Sequence, residues 1–225
     1  MGSITEGWPT ISASRDGRFP KRPSFDTAWE QILETSDTWR NADCAEYIRG
    51  WCGHAPDHIV DHVAGVNHVG IYMGDYERDE EVLSWHAYLR DLQRSAHIAT
   101  VEIGPSYISP RQYGTPGWWN ALVLPDGRAI ETFACMEFGP WADRAADERR
   151  RLMSHVAVDT RTEDGVRFVL DALERDVDSL EVIAFTEADE LGHTYGHVRN
   201  NADMSVLEIV YQAPRDESEQ PHGSH

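Results

Sequence analysis

Two glutamates sit where carboxylates are expensive to keep. Glu131 lies in the run Ile130-Glu131-Thr132-Phe133, and Glu208 lies in Leu207-Glu208-Ile209-Val210. An ionised carboxylate inside such an apolar strand must be paired with a cation or with strong donors. Two histidines, His68 and His155, each precede a valine in other strand-like runs. For either histidine alone, a core residue bonded to backbone is the simpler reading. Together with the glutamates they suggest one divalent cation, which would satisfy imidazole nitrogen and carboxylate oxygen at once. Fe(II), Ni, Zn, Mn and Co all suit such a donor set. Glu131 closely follows a turn, so a solvent-facing carboxylate or a pairing with Arg128 is its alternative.

For four such side chains to meet within bonding distance of one ion, their strands must converge. The order of elements provides for that. Residues 66–73 read as a buried strand, 77–92 as an amphipathic helix and 98–103 as a β-rich run. A long loop with Gly and Pro follows, over 104–117. Residues 118–124 and 129–135 form a hairpin about Pro125-Asp126-Gly127-Arg128, a strong turn signal. After a charged helical stretch the order returns: a strand from His155, a helix over 163–174, then strands over 180–186, 195–199 and 205–211. The chain therefore reads as a βαβββ unit used twice. A histidine opens each unit and a strand-borne glutamate closes it.

The fold class expected is α+β: two βαβββ modules forming a barrel, with a helical N-terminal extension. The segments are a flexible arm over 1–22, the helical extension over 23–62, the first module over 63–140, a helical linker over 141–153, the second module over 154–213 and a disordered tail over 214–225. The linker carries Arg149-Arg150-Arg151, which reads as a solvated helical face.

Composition narrows the function. The chain has 225 residues and a formal net charge of −19. That charge argues against nucleic acid and against anionic membrane surfaces, which both call for clustered Lys and Arg. No apolar stretch approaches a membrane span, and the first residues lack the basic start and apolar run of a secretory leader. Three cysteines, Cys44, Cys52 and Cys135, are too few for a disulfide framework. The expectation is a cytoplasmic protein that takes a small-molecule substrate, with a homodimer as an open possibility.

Other polar groups are candidates for chemistry. Strand alternation puts Tyr195, His197 and Arg199 on one face. If that face lines the interior, His197 becomes an acid/base and Arg199 a carboxylate clamp; otherwise they are solvated. Arg111, Tyr113, Trp118 and Trp119 are candidates for a pocket wall. His54, His58 and His62 share helical spacing and form a rival metal set, although Pro56 and the neighbouring aspartates favour a solvated helix start. His86 and Trp85 read as packing.

With these residues in place, the sequence resembles the vicinal oxygen chelate superfamily over residues 66–211. That group includes glyoxalase I, methylmalonyl-CoA epimerase, fosfomycin-resistance proteins and extradiol dioxygenases. The resemblance implies a metal held by His68 and Glu131 from one module and by His155 and Glu208 from the other. It also implies Lewis-acid and proton-transfer chemistry on a small oxygenated metabolite, of isomerase, epimerase or lyase type, with Glu131 as ligand or base. Non-haem Fe(II)-dependent oxygenation and non-catalytic binding of a small molecule are the alternatives. The long 104–117 loop and the N-terminal helices depart from the family pattern, which leaves the substrate open.

Overall fold

The computed structural model describes residues 9–14, 16–53, 57–106, 109–110, 114–136, 143–189 and 192–212. Three helices come first: α1 (Phe25–Arg40), α2 (Cys44–Cys52) and α3 (Asp57–Val60). Then come β1 (Val63–Tyr76), α4 (Asp79–Arg94), β2 (Thr100–Pro105), β3 (Gly117–Val123) and β4 (Ala129–Met136). The linker helix α5 (Ala146–Met153) leads into β5 (His155–Thr160), α6 (Glu163–Asp176), β6 (Leu180–Thr186), β7 (His193–Asn200) and β8 (Val206–Gln212). The α+β class and the doubled βαβββ order both hold.

Among the described residues eight strands form one sheet in the order β2-β3-β4-β1-β5-β8-β7-β6. Within each module the first strand runs parallel to the fourth, β1 with β4 and β5 with β8. The modules join where β1 and β5 pair antiparallel. The halves are thus related by a rotation about a point between these two strands. Among the described residues no pairing joins the outer strands β2 and β6, so the sheet is continuous but not closed by backbone bonds.

Helices cover one face. In α4, Val82, Trp85 and Leu89 are buried; in α6, Val166, Val169, Leu170 and Leu173 are. The i, i+3, i+4 spacing makes this possible, and each fully buried aliphatic side chain contributes roughly 1.5–3 kcal/mol. First-turn acids Asp79, Glu80 and Glu81 favour the start of α4 through the helix dipole. Asp43 caps α2 by accepting from the backbone N–H of Ala45 and Glu46 at 2.9 and 3.1 Å.

The N-terminal helices strap the two modules at their hairpin tips. Arg40 of α1 pairs with Asp126 in the β3–β4 turn at 2.9 Å. Trp51 of α2 donates through Nε1 to Ser205 Oγ, beside the β7–β8 turn, at 2.7 Å.

Two expectations need correction. The described part of the 1–22 segment is packed rather than free: Ile11, Ser14 and Phe19 are buried. The Phe19 N–H donates to the Asp75 carbonyl at 2.9 Å, and the Asp75 N–H donates to the Gly17 carbonyl at 2.7 Å. Gly74, at φ +110°, allows this approach, since a Cβ there would strike the backbone of Arg18 and Phe19. The arginine run of α5 is also not a solvated face. Arg149 pairs with the buried Asp75 at 3.1 Å, and Arg150 donates to the Ser14 carbonyl at 3.0 Å. Two isolated apolar anchors and scattered cations carry no periodic signal, so composition alone misleads here. Residues 1–8 of the arm and the 214–225 tail lie outside the described residues.

Candidate metal centre

Strand register brings the four residues together. On β1, Gly70 lies opposite Glu131 of β4; on β5, Ala157 lies opposite Glu208 of β8. In both modules the glutamate therefore faces the residue two beyond the histidine. Across the central seam His68 lies opposite Ala157, and Gly70 lies opposite His155. A small residue thus stands across from each imidazole. The clearance is tight, because a Cβ on Gly70 would lie 2.5 Å from His155 Nε2 and 2.6 Å from its Nδ1.

The donor atoms converge. His68 Nε2 is 3.2 Å from His155 Nε2 and 3.2 Å from Glu208 Oε2. His155 Nε2 is 3.1 Å from the same Glu208 oxygen. Glu131 Oε2 stands slightly apart, 3.5 Å from His68 Nε2 and 3.9 Å from His155 Nε2. Bonds of about 2.0–2.2 Å to one ion put neighbouring donors roughly 2.8–3.6 Å apart. The tight triangle falls in that range, and Glu131 needs only a small closure to join. Two imidazole nitrogens aimed at each other beside a carboxylate also need a proton or a cation between them. The residues present fit a divalent ion.

Burial and charge agree with this. His68, His155 and Glu208 are all buried, while the Glu131 side chain keeps 22% exposure. Burial opposes a charge on His68, yet Glu131 and Glu208 outweigh it and raise that imidazole to about 9. Burial likewise works against the Glu208 carboxylate, but His197, His155 and His68 hold it well below the usual range.

His197 belongs to the same cluster. It sits opposite Glu208 in the β7–β8 pair, with Nε2 3.8 Å from Glu208 Oε2. It is buried, and its Nδ1 has no hydrogen-bond partner among the described residues. Burial, with His155 and His68 nearby, lowers it to about 4 against the pull of Glu208. His155, His197 and Glu208 thus form a second possible ligand group beside His68, Glu131 and His155. The buried Tyr195 lies one alternation away, its ring 6.1 Å from that of His197.

Several of the remaining candidates are engaged elsewhere. Arg199 donates from Nη2 to Glu181 at 2.8 Å and from Nε to Asn201 at 3.0 Å, so its guanidinium is already paired. His58 approaches Asp176 at 3.5 Å, and the His62 ring lies tilted against Phe168, their centroids 4.2 Å apart. His54, Arg111 and Tyr113 lie outside the described residues. Trp118 packs on His86 at 5.2 Å, and Trp119 is half-buried on β3.

Sequence reasoning missed Asn67 and Asp159. His68 Nδ1 is 2.8 Å from Asn67 Oδ1, and Asn67 Nδ2 donates to Asp159 Oδ1 at 2.9 Å. A cavity of about 220 Å³ reaches His68 and Asn67 from the side of α1, bordered by Ser36, Trp39, Arg40 and Arg128.

No family model matches this chain, and no curated protein does. Solved structures are similar to it. Methylmalonyl-CoA epimerase from Mycobacterium tuberculosis matches at 12% identity and TM-score 0.40, over 68% of this chain and 91% of that one. A mutant 4-hydroxymandelate synthase from Streptomyces coelicolor matches at 10% identity and TM-score 0.41, over 69% and 50%. A mutant glyoxalase I from Zea mays matches at 16% identity and TM-score 0.35, over 70% and 47%, so the chain spans about half the length of these last two. In this chain the β1–β5 seam sets the centre, because both histidines stand on the seam strands and both glutamates on the strands that flank them. No helix among the described residues is long and apolar enough to cross a membrane.

Proposed function

We propose that this chain is a divalent-metal-dependent enzyme acting on a small oxygenated metabolite by Lewis-acid and proton-transfer chemistry, of isomerase, epimerase or lyase type. The observation that carries it is the convergence of His68, His155, Glu208 and Glu131 on one point, each module supplying one imidazole and one carboxylate. A bound ion supplies positive charge to polarise oxygens of the substrate. The chain's own groups then move protons. Glu131 is the donor set apart from the tight triangle and the most exposed of the four. Its Oε2 takes the proton from the carbon beside the polarised oxygen and returns it. His197, buried and without a partner on Nδ1 among the described residues, is the second group placed to accept or donate a proton, and Tyr195 packs beside it.

One observation favours a second reading, non-haem Fe(II)-dependent oxygenation. The three donors closest together are two histidines and one glutamate, a set suited to Fe(II) with positions left open.

Metal analysis of protein purified without oxygen separates the readings. Nickel, zinc, manganese or cobalt with oxygen-independent turnover supports the first, and iron with oxygen-dependent turnover supports the second. Protein that contains no metal and gains no thermal stability from any of these ions overturns both.

A further inference from the structure

We infer that Asn67 and Asp159 are positioning residues that set which nitrogen of His68 faces the ion. The inference rests on the metal reading above. Asn67 is the extra residue of a β-bulge: Val66 pairs with Val158 and His68 with Ala157, so one residue of β1 has no opposite on β5. A regular strand would send neighbouring side chains to opposite faces. The bulge breaks that alternation and re-aims a side chain. Here it sets the Asn67 carboxamide alongside the His68 ring, with Oδ1 2.8 Å from Nδ1.

The orientation of that carboxamide is fixed from the other module. Asn67 Nδ2 donates to Asp159 Oδ1 at 2.9 Å. A carboxylate only accepts, so it selects the amide end that donates and turns the carbonyl oxygen toward His68. That oxygen also only accepts, so His68 must carry its proton on Nδ1. Nε2 is then the nitrogen left to give up its proton to an incoming ion and bind it, and Nε2 is the atom that faces His155 and Glu208 at 3.2 Å. Asp159 sits on β5 two residues beyond Ala157 and four beyond His155, the other module's histidine. The second module therefore helps to orient the first module's ligand.

Ligand-orienting partners of this kind are typically worth about 10–100-fold in metal affinity. The test uses the full chain with Zn(II) as probe. Zinc affinity is measured by chelator competition for the wild type, Asn67→Ala, Asp159→Ala and Asp159→Asn, with thermal melts of the metal-free proteins as a control on folding. Long-range ¹H–¹⁵N spectra of the zinc-loaded wild type report the His68 tautomer directly and need no variant. The expected result is a proton on His68 Nδ1 and zinc on Nε2. Affinity falls tenfold or more in both alanine variants. Asp159→Asn stays within threefold of the wild type, because its carbonyl still accepts from Asn67, a rescue that a role of the Asp159 charge alone would not give. Zinc on Nδ1, or a loss below tenfold in Asn67→Ala, overturns the inference while leaving the metal site intact. A wild type that binds no zinc removes the metal reading itself, and the inference with it.

Discussion

Gly70 and His155 share one space: the imidazole of His155 lies where a side chain on Gly70 would have to go. The two residues are opposed across the β1–β5 seam, so the absence of a Cβ in one module lets the ligand of the other reach the centre. Gly70→Ala should push the ring aside. The expected outcome is at least a tenfold loss of metal affinity and a stability loss of about 1–3 kcal/mol, typical of overpacking. Gly65→Ala is the matched control on the same strand, since a Cβ there meets nothing within 4 Å. Calorimetric titration and urea denaturation read both. Equal affinities for the two variants would show that the ring has room to spare.

His155→Ala and Glu208→Ala should each abolish stoichiometric metal while leaving the fold in place, because each removes one corner of the tight triangle. An ion that binds only the folded state raises its stability with concentration. The wild type should therefore melt higher as metal is added, and neither variant should. Full metal content in both variants would place the ion elsewhere.

Glu131→Gln separates ligand from base. The amide keeps the shape but loses the negative charge and the ability to take a proton. Retained metal with turnover down by about 10²–10⁴-fold marks Glu131 as a proton carrier, the range general-base catalysis spans. Loss of the metal marks it instead as a fourth ligand. Unchanged turnover would remove Glu131 from the chemistry.

His86 offers a pH test away from the centre. Its ring packs on Trp118, its Nε2 is buried with no partner among the described residues, and burial together with Arg90 lowers it to about 4. The unfolded chain protonates this imidazole near pH 6.5. Between pH 6.5 and 4 the unfolded state thus holds more protons, and folding stability falls as pH drops through that window. The loss from this one group is on the order of 3 kcal/mol at the acid end. His86→Phe should lose less stability between pH 7 and 4.5 than the wild type does, by urea midpoints at each pH. Parallel pH profiles would refute the assignment.

Much of the centre was legible because apolar strands seldom carry carboxylates. Glu131 and Glu208 stood out on that ground, and the recurrence of His-Val before them tied the four into one site. The Pro125-Asp126-Gly127-Arg128 turn fixed the hairpin that delivers Glu131. Other parts were hidden for physical reasons. Alternation put His197 on a face of β7 but could not say that the face points inward, since that depends on how the sheet curves. Arg199 shares the alternation yet is held by Glu181, a partner visible only once β6 and β7 are paired. The bulge at Asn67 leaves no mark on a one-dimensional pattern, so its link to Asp159 was out of reach. The packing of Ile11 and Phe19 was lost in a segment whose composition resembles a free tail.

The meeting of β1 and β5 also governs how the chain can come apart. Of the four donors proposed to hold the ion, each half supplies one nitrogen and one oxygen, so full ligation needs both halves. A captured cation would therefore act as a cross-link between distant stretches of the polypeptide, restricting the unfolded ensemble much as a disulfide does. Opening that junction, by force or by heat, and releasing the cation would be one event.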